Sequence, residues 1–348
     1  GRFGWQMVDS EPPGSPQAGG TDNLPIQIGG SFVVDNPVIE LPGMPRWQQP
    51  QMSIKLSGSG QSQSGGKLRL EQGGVQIDIG TEQLLATLAQ PVVDAFTNQI
   101  WNTNCQMTGS MAGWVGHIQN FVDLGNIRTE GDLNLICSAS LNPKNIQFSG
   151  IEYAVQQLAF DGYGMKIREA KTQGAGAAVY DLTTGSVLFP ELTVNSSSIT
   201  ARGQQVQFSF PSNMRADGTV SFRADVNKVA EWYELSPTSD HLFWFGSWEG
   251  TAQLVSNENG IGARVNSTVS DLVAAMQRQP QMAEGNAQGQ FRQASSTQTG
   301  WQEILRESKV GISGDFTLGN DFNALGFQNF LLDSSILKAN ANGSLTDL

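Results

Sequence analysis

Apolar and polar residues alternate along much of this chain. Met52, Ile54 and Leu56 are separated by polar residues, and the same period of two recurs after a turn-like segment at 58–66. Because the side chains of a strand point alternately to the two faces of a sheet, this period predicts strands that bury one face. From 124 to about 255 nearly every segment has this form. The sequence therefore predicts a mainly β fold, in which antiparallel repeat hairpins form one long curved sheet or groove.

Four short segments have a helical period instead. Their apolar residues recur at intervals of three and four, as along the buried stripe of an amphipathic helix. In the first segment Leu84, Leu88 and Phe96 share one stripe, which predicts a helix that caps one end of the sheet. Pro91 should kink this helix because proline lacks an amide proton. The predicted helices are 81–101, 225–235, 266–279 and 301–308.

Changes in composition divide the chain into five predicted regions. Proline and glycine are concentrated at the start of the chain, which favours an extended segment. The chain begins at Gly1 and its last residues still have a strand-like pattern, so we expect a piece of a longer polypeptide. The regions are an arm or linker (1–50), strands plus the capping helix (51–123), a β-repeat region (124–279), a mobile loop (280–300) and a final β repeat (301–348).

Two kinds of sequence unit recur. The segments 192–203 and 330–343 both have an apolar stretch, a short serine-containing turn, an isoleucine and an alanine, and a final glycine. A shorter unit, glycine followed by alternating apolar residues, begins at Gly131, Gly218 and Gly314. We interpret each unit as one hairpin that starts at its glycine. Because a single hairpin is marginally stable in water, such units should add to a shared sheet.

This alternation of glycine-initiated hairpins with occasional helices resembles the AsmA/TamB-like proteins of Gram-negative envelopes. The most similar stretch is 131–210, and 224–272 and 310–348 also fit. The resemblance implies a non-enzymatic segment of a bacterial envelope protein, for lipid handling or scaffolding through an apolar β groove. It also implies a location in the periplasm or cell envelope, with an anchor or signal outside this sequence. Lipid or the envelope membrane would then be the partner, reached through other parts of the protein.

Charge and composition exclude several other classes. The formal net charge is -12, from 20 Lys and Arg against 32 Asp and Glu. This balance argues against a nucleic-acid partner, because phosphate contacts need clustered basic residues. No run approaches the roughly 18–20 apolar residues that a membrane-spanning helix needs. Glycine accounts for 40 of the 348 residues, which we interpret chiefly as turns and hairpin starts.

Few residues are candidates for catalysis or metal binding. His117 and His241 lie in separate segments, and the sequence has no nucleophile-elbow motif to accompany them. Cys105 and Cys137 have no CxxC spacing, which argues against a zinc site. Two alternatives remain for them, either a disulfide or a buried free thiol at Cys137. We therefore predict no enzyme activity, no metal and no cofactor.

An aromatic cluster is the densest apolar feature of the sequence. Aromatic rings can bind sugars or acyl chains, but more often they fill a core or cover the end of a sheet. Beside the lipid groove we therefore keep two alternatives, a carbohydrate-binding or glycan-active β domain that uses exposed tryptophans, and a purely structural repeat domain. The candidate lipid- or ligand-contacting residues are Trp232, Phe243, Trp244, Phe245 and Trp248.

Overall fold

A computed structural model gives the architecture of most of the chain. Its described residues form one open sheet of 16 antiparallel strands, together with a two-stranded sheet and two helices. Each strand of the large sheet pairs with the strand before it, so the order in the sheet follows the order in the chain. The predicted mainly β fold with one long antiparallel sheet is confirmed. The structure describes residues 24–40, 46–63, 67–95, 100–119, 126–162, 164–209, 215–233, 242–257, 260–277, 301–319 and 324–346.

The strands and helices have the following bounds. The large sheet begins with β1 (Leu24–Asp35), and β2 (Val38–Ile39) pairs with β3 (Trp47–Gln48) in the small sheet. The large sheet continues with β4 (Gln51–Gln63), β5 (Lys67–Ile79), β6 (Glu82–Leu88), β7 (Trp101–Ser110), β8 (Arg128–Leu141), β9 (Asn145–Gly162), β10 (Met165–Asp181), β11 (Ser186–Asn195), β12 (Ile199–Ser209), β13 (Arg215–Asp225), β14 (Leu242–Asn257), β15 (Gly260–Gln277), β16 (Trp301–Gly319), β17 (Ala324–Asp333) and β18 (Lys338–Thr346). The helices are α1 (Met111–Gln119), between β7 and β8, and α2 (Val226–Trp232), between β13 and β14.

Both helices lie at one end of the sheet. In an antiparallel meander the connections alternate between the two ends, and the segment 36–50, α1 and α2 all fall at the same end. We call it the helix end. The Ser110 hydroxyl caps α1 by accepting a hydrogen bond from the Gly113 amide, and the Asp225 carboxylate caps α2 in the same way. Because α2 contacts β10 as well as β13 and β14, it reaches across the strands between them.

One of the four predicted helices is confirmed, and three are wrong. The segment 225–235 contains α2, whereas the described part of 81–101 forms β6, a bend at 89–95 and the start of β7. In β6 the residues Leu84 and Leu88 are four positions apart along a strand, and Leu84 pairs with Ile77 of β5. The two leucines lie on the same face of the sheet. Residues four positions apart share a face in a strand as well as in a helix, so this spacing fits both structures. Phe96, the third member of the predicted stripe, lies outside the described residues.

The described residues of the predicted helices 266–279 and 301–308 are parts of β15 and β16. Both strands contain a β-bulge, in which one extra residue shifts the alternation of side chains. Asp271 has a left-handed backbone (φ 53°), so that Val269 and Leu272 both face the same side. A period of two with one inserted residue produces a spacing of three, which resembles a helical pattern. In β16 the extra residue is Ile304, because Glu303 and Leu305 pair with the adjacent residues Ala275 and Ala274 of β15.

Helix α1 was missed because its sequence carries weak helical signals. The segment 102–123 is predicted as a loop with one strand, but it contains β7 and α1. Gly113 and Gly116 lower the intrinsic helix propensity of the segment by roughly 1 kcal/mol each relative to alanine. The capping serine at position 110 was the available signal. Within the other predicted regions, residues 24–35 of the arm form β1, and the mobile loop at 280–300 lies outside the described residues.

The repeated hairpins are confirmed, but their glycines do not start them. Gly131 and Gly218 lie inside strands with φ of 121° and 133°, opposite bulges at Gln157 and Gln205 on the neighbouring strands. A Cβ at Gly218 would lie 2.6 Å from the Gln205 carbonyl oxygen, so the close approach of two backbones requires glycine there. Gly314 likewise faces a bulge, on β17. The recurring glycine unit therefore marks a bulge.

A larger unit of six strands and one helix also repeats. The series from β7 through α1 to β12 has the same order as the series from β13 through α2 to β18. Glu169 on β10 binds Ser197 in the β11–β12 turn, and Glu307 on β16 binds Ser335 in the β17–β18 turn, each pair separated by 28 positions. The similar segments 192–203 and 330–343 are these two equivalent hairpins.

Candidate apolar ligand-binding face

The large sheet has one apolar face, because residues that pair across antiparallel strands point to the same side. One row of paired residues crosses seven strands from β1 to β9. A second row crosses eight strands from β11 to β18. The first row is Phe32, Ile54, Ile77, Leu84, Met107, Leu135 and Tyr153, and the second is Val194, Ala201, Phe222, Gly250, Ser267, Ile312, Leu332 and Ala339. We call the face that carries these rows the apolar face.

The opposite face is mostly polar. Asn134 and Ser138 alternate with the leucines of β8, and Arg202 pairs with Ser221 across β12 and β13. Its charged groups are exposed and form surface ion pairs, such as Arg202 with Glu191 at 2.8 Å. The sheet is therefore amphipathic across its thickness, with a solvated face and an apolar face.

The apolar face has no closed core above it. The buried apolar residues of the described chain are Ala and Val, with one Trp, and no described Leu, Ile, Phe or Met is buried. In most globular domains Leu, Ile and Phe are among the residues most often fully buried. Large side chains of the rows, including Leu135 and Phe222, are half-buried and keep part of their surface in solvent.

The curvature of the sheet is visible where a side chain spans two strands. Tyr153 on β9 lies over Gly174 on β10, and its hydroxyl donates a hydrogen bond of 3.1 Å to the Thr193 carbonyl on β11. A Cβ at Gly174 would lie 2.5 Å from the Tyr153 hydroxyl oxygen. Burial raises the pKa of Tyr153, so the phenol stays neutral and donates this bond.

The predicted aromatic cluster is divided between the two faces. Trp244 and Trp248 pair with Ala274 and Val269 and lie on the apolar face. Phe243 and Phe245 alternate with Trp244 and point to the other side, where Phe245 is 47% exposed. Trp232 is the last residue of α2 and is half-buried.

Trp248 is held by a neighbouring ring. It makes an edge contact with Phe222, with ring centroids 5.1 Å apart. Among the tryptophans whose side chains the structure describes, none is exposed. Trp232, Trp244 and Trp248 are half-buried, like the large apolar side chains of the rows, so the carbohydrate-binding alternative stays a prediction.

Two buried carboxylates fix hairpin turns at the helix end. Glu169 is 4% exposed, and one of its oxygens accepts hydrogen bonds from the Ser197 amide (3.1 Å) and hydroxyl (2.7 Å). Burial by itself would raise the pKa of Glu169, but hydrogen bonds from Ser198 and Ser197 hold it below its ordinary value. Glu307 is 3% exposed and binds Ser335 in the equivalent turn. Sequence reasoning missed both glutamates, although the repeated serine turns were a signal for them.

A third buried carboxylate, Glu82, lies beside α1. Its oxygens accept hydrogen bonds from Thr81 and Ser110, and one lies 3.7 Å from Nε2 of His117. The ring of His117 packs edge-on against Trp47 of β3, with centroids 6.1 Å apart. This cluster joins residues 46–50 to α1 through Trp47 and Gln49.

The same cluster lacks the arrangement of a catalytic triad. A triad needs a hydroxyl that gives its proton to histidine. The Ser110 hydroxyl donates to Glu82 instead, and Nδ1 of His117 lies 3.2 Å from the Gln49 amide nitrogen. The second predicted candidate, His241, lies outside the described residues.

Cys105 and Cys137 lie directly opposite each other on β7 and β8. Both are free thiols and half-buried. Burial, and then the neighbouring Cys105, raise the pKa of the Cys137 thiol to about 11. The sequence allowed this pairing but could not establish the register that brings the two residues together.

Neither the described residues nor known proteins identify the chain further. In the described ranges no cluster of three or more His, Cys, Asp or Glu side chains could hold a metal ion. In those ranges, too, no helix has the length and apolar character to cross a membrane. No protein-family model, no curated protein and no solved structure matches the chain.

Proposed function

We propose that this chain is a non-enzymatic segment that binds extended apolar ligands, such as the acyl chains of lipids, along the apolar face of its sheet. The observation that carries the proposal is the absence of any buried Leu, Ile, Phe or Met among the described residues of a long amphipathic sheet. Removing apolar surface from water is favourable whatever covers it, and an acyl chain can serve as that cover.

The size of the effect is sufficient for binding without specific polar contacts. Each buried methylene contributes about 0.8 kcal/mol, so about 15 methylenes would contribute roughly 12 kcal/mol before the costs of association. The six strands from β4 to β9 are about 4.8 Å apart, so their row spans about 24 Å. Its side chains are apolar throughout, from Ile54 to Tyr153.

The two ends of the sheet differ in a way that favours entry from one side. The segment 36–50, α1 and α2 lie at the helix end. At the opposite end the turns at 142–144 and 182–185 are short, and the described part of the longer β6–β7 connection lies against β5, where Val92 pairs with Leu70. A ligand would therefore approach the apolar face from the end with short turns. The resemblance of 131–210 to AsmA/TamB-like proteins supports the same function, with lipid or the envelope membrane as partner and the periplasm or cell envelope as location.

Site-specific photocrosslinking tests the proposal with a matched control. Benzoylphenylalanine is placed at position 135 or 136, and each protein is illuminated with phosphatidylethanolamine in detergent. Leu135 is half-buried on the apolar face, whereas Ile136 is 45% exposed on the polar face. Exposure alone would favour labelling at 136, so a lipid adduct mainly at 135 supports the proposal.

Two results would contradict the proposal. Labelling that is equal at both positions, or stronger at 136, overturns binding on the apolar face. Extraction of the purified protein followed by lipid mass spectrometry is the companion measurement. Absence of both adducts and co-purified lipid would contradict lipid handling.

A further inference from the structure

The register of β7 and β8 brings the two cysteines of the chain face to face. Cys105 pairs with Cys137, and the flanking pairs are Met107 with Leu135 and Thr103 with Ala139. Directly opposed residues of antiparallel strands have Cα atoms about 4.5–5.5 Å apart. Disulfides span Cα separations of about 4.4–6.8 Å. The backbone therefore needs no rearrangement to accept a bond between the two sulfurs.

Both thiols are open to a small reagent. Neither cysteine is fully buried, and both lie on the apolar face, in line with Met107 and Leu135. The nearest polar neighbour on the same strand is the Thr103 hydroxyl, 3.5 Å from the Cys105 sulfur.

We propose that Cys105 and Cys137 form a reversible cross-strand disulfide by exchange with a small disulfide such as oxidised glutathione. The Cys105 thiolate attacks one sulfur of the reagent, breaks its S–S bond and releases one glutathione thiolate, which takes up a proton. Cys137, as its thiolate, then attacks the Cys105 sulfur of the mixed disulfide and releases the second glutathione. The two cysteines lose two electrons and two protons, and one oxidised glutathione becomes two thiols.

The bond would join the two strands that flank α1. Everything between the cysteines, including the end of β7, α1 and the start of β8, would become a closed loop. His117 of α1 lies inside this loop, so its contact with Trp47 joins the loop to β3. The disulfide would thus fasten the helix end of the apolar face, independently of whether a lipid is bound.

The experiment equilibrates the folded protein with mixtures of reduced and oxidised glutathione and maps the products by mass spectrometry. The expected product is an intramolecular disulfide, seen as the loss of two hydrogen atoms and a Cys105–Cys137 crosslinked peptide. C105S and C137S should instead retain a single bound glutathione. An off-register control combines C137A with L135C and should give much less intramolecular bond, because diagonal partners lie about 7–8 Å apart.

A second control tests whether the register, rather than a special environment, is responsible. Val220 and Ala252 are opposed on β13 and β14, which flank α2 as β7 and β8 flank α1. Placing cysteines there by V220C and A252C, in a chain with C105S and C137S, should restore an intramolecular bond. Persistent mixed disulfides or intermolecular dimers in the wild-type protein, alongside bond formation at 220 and 252, would overturn the proposal. Lipid crosslinking at position 135 does not enter this test, so the two proposals fail separately.

Discussion

Replacement of Glu169 by alanine should loosen one hairpin of the sheet. Glu169 is 4% exposed and is the acceptor for both the amide and the hydroxyl of Ser197 in the β11–β12 turn. E169A removes the charged acceptor and leaves two donors near the surface. Water can take the place of the carboxylate at these donors, because Ser197 is exposed, but it does not tie the turn to β10.

The expected magnitude follows from these two hydrogen bonds. A hydrogen bond to a charged group contributes about 1.5–3 kcal/mol, and part of the loss is recovered because the freed donors reach water. We expect a local loss of about 2 kcal/mol in the opening free energy of the hairpin. Since about 1.4 kcal/mol corresponds to a factor of ten, the amides of the turn should exchange roughly 30 times faster.

Hydrogen exchange with peptide-level mass spectrometry is the appropriate assay. A long sheet of repeated units need not unfold in one step, so a local measurement is more informative than a global transition. Peptides covering 192–203 should lose protection in E169A, while the equivalent hairpin at 334–337 should not change. The control is E191A, because Glu191 is exposed and forms only a surface ion pair with Arg202.

The pH dependence gives a second check on the same reasoning. The pKa of Glu169 is lowered in the folded chain from an ordinary value of 4.5. A carboxyl group whose pKa is lowered by folding stabilises the fold when the pH is above its ordinary pKa. This contribution is lost as the pH falls through the pKa of the folded state. Protection of the hairpin should therefore fall with acid in the wild type but less in E169A. Unchanged exchange in E169A at neutral pH, or an equal effect of E191A, would refute the anchoring role.

Three further predictions test the bulges, an acid-sensitive contact between strands and the thiol. G218A should destabilise the chain by at least about 1 kcal/mol in thermal unfolding, because Gly218 has φ 133°, whereas G116A in the open space of α1 should be neutral or stabilising by up to about 1 kcal/mol. Hydrogen bonds from Gln76 first, then Gln83, lower the pKa of Asp78 to about 2, so its contribution should be present above about pH 4 and disappear towards pH 2. Acid titration followed by circular dichroism should show that D78N lacks this step. Alkylation of Cys137 by iodoacetamide should accelerate about tenfold per pH unit between about pH 7 and 9, because its pKa is about 11; a plateau in this range would contradict the burial argument.

The strands were predictable because their pattern is local. Alternation at Met52, Ile54 and Leu56 reports a half-buried face whatever the strand pairs with, and the meander then needs only neighbouring strands to meet. The bulges were not predictable in this way. At Asp271 one left-handed residue changes the spacing of apolar residues from two to three, and a single sequence does not separate that change from a helical turn.

The candidate site was predictable in kind but not in position. The sequence pointed to an apolar face, but the division of the aromatic cluster depends on which residue of β14 faces which side. Trp244 and Phe245 are neighbours in sequence and lie on opposite faces. The meeting of Cys105 with Cys137, and of Glu169 with Ser197, depends on strand register. Register is fixed by turn lengths and bulges along the whole sheet, which no local pattern contains.

The order of the strands has a consequence for how the molecule is made. Each strand of the large sheet hydrogen-bonds to the strand that precedes it in the sheet, from β1 to β18. A chain with this topology can gain structure progressively, since a newly available strand finds its template already in place and never waits for a distant partner. Synthesis or passage through a narrow opening, which both deliver the chain from one end, therefore suit this architecture. The exposed edge then advances with the growing sheet, and at each moment it is the site most open to mispairing.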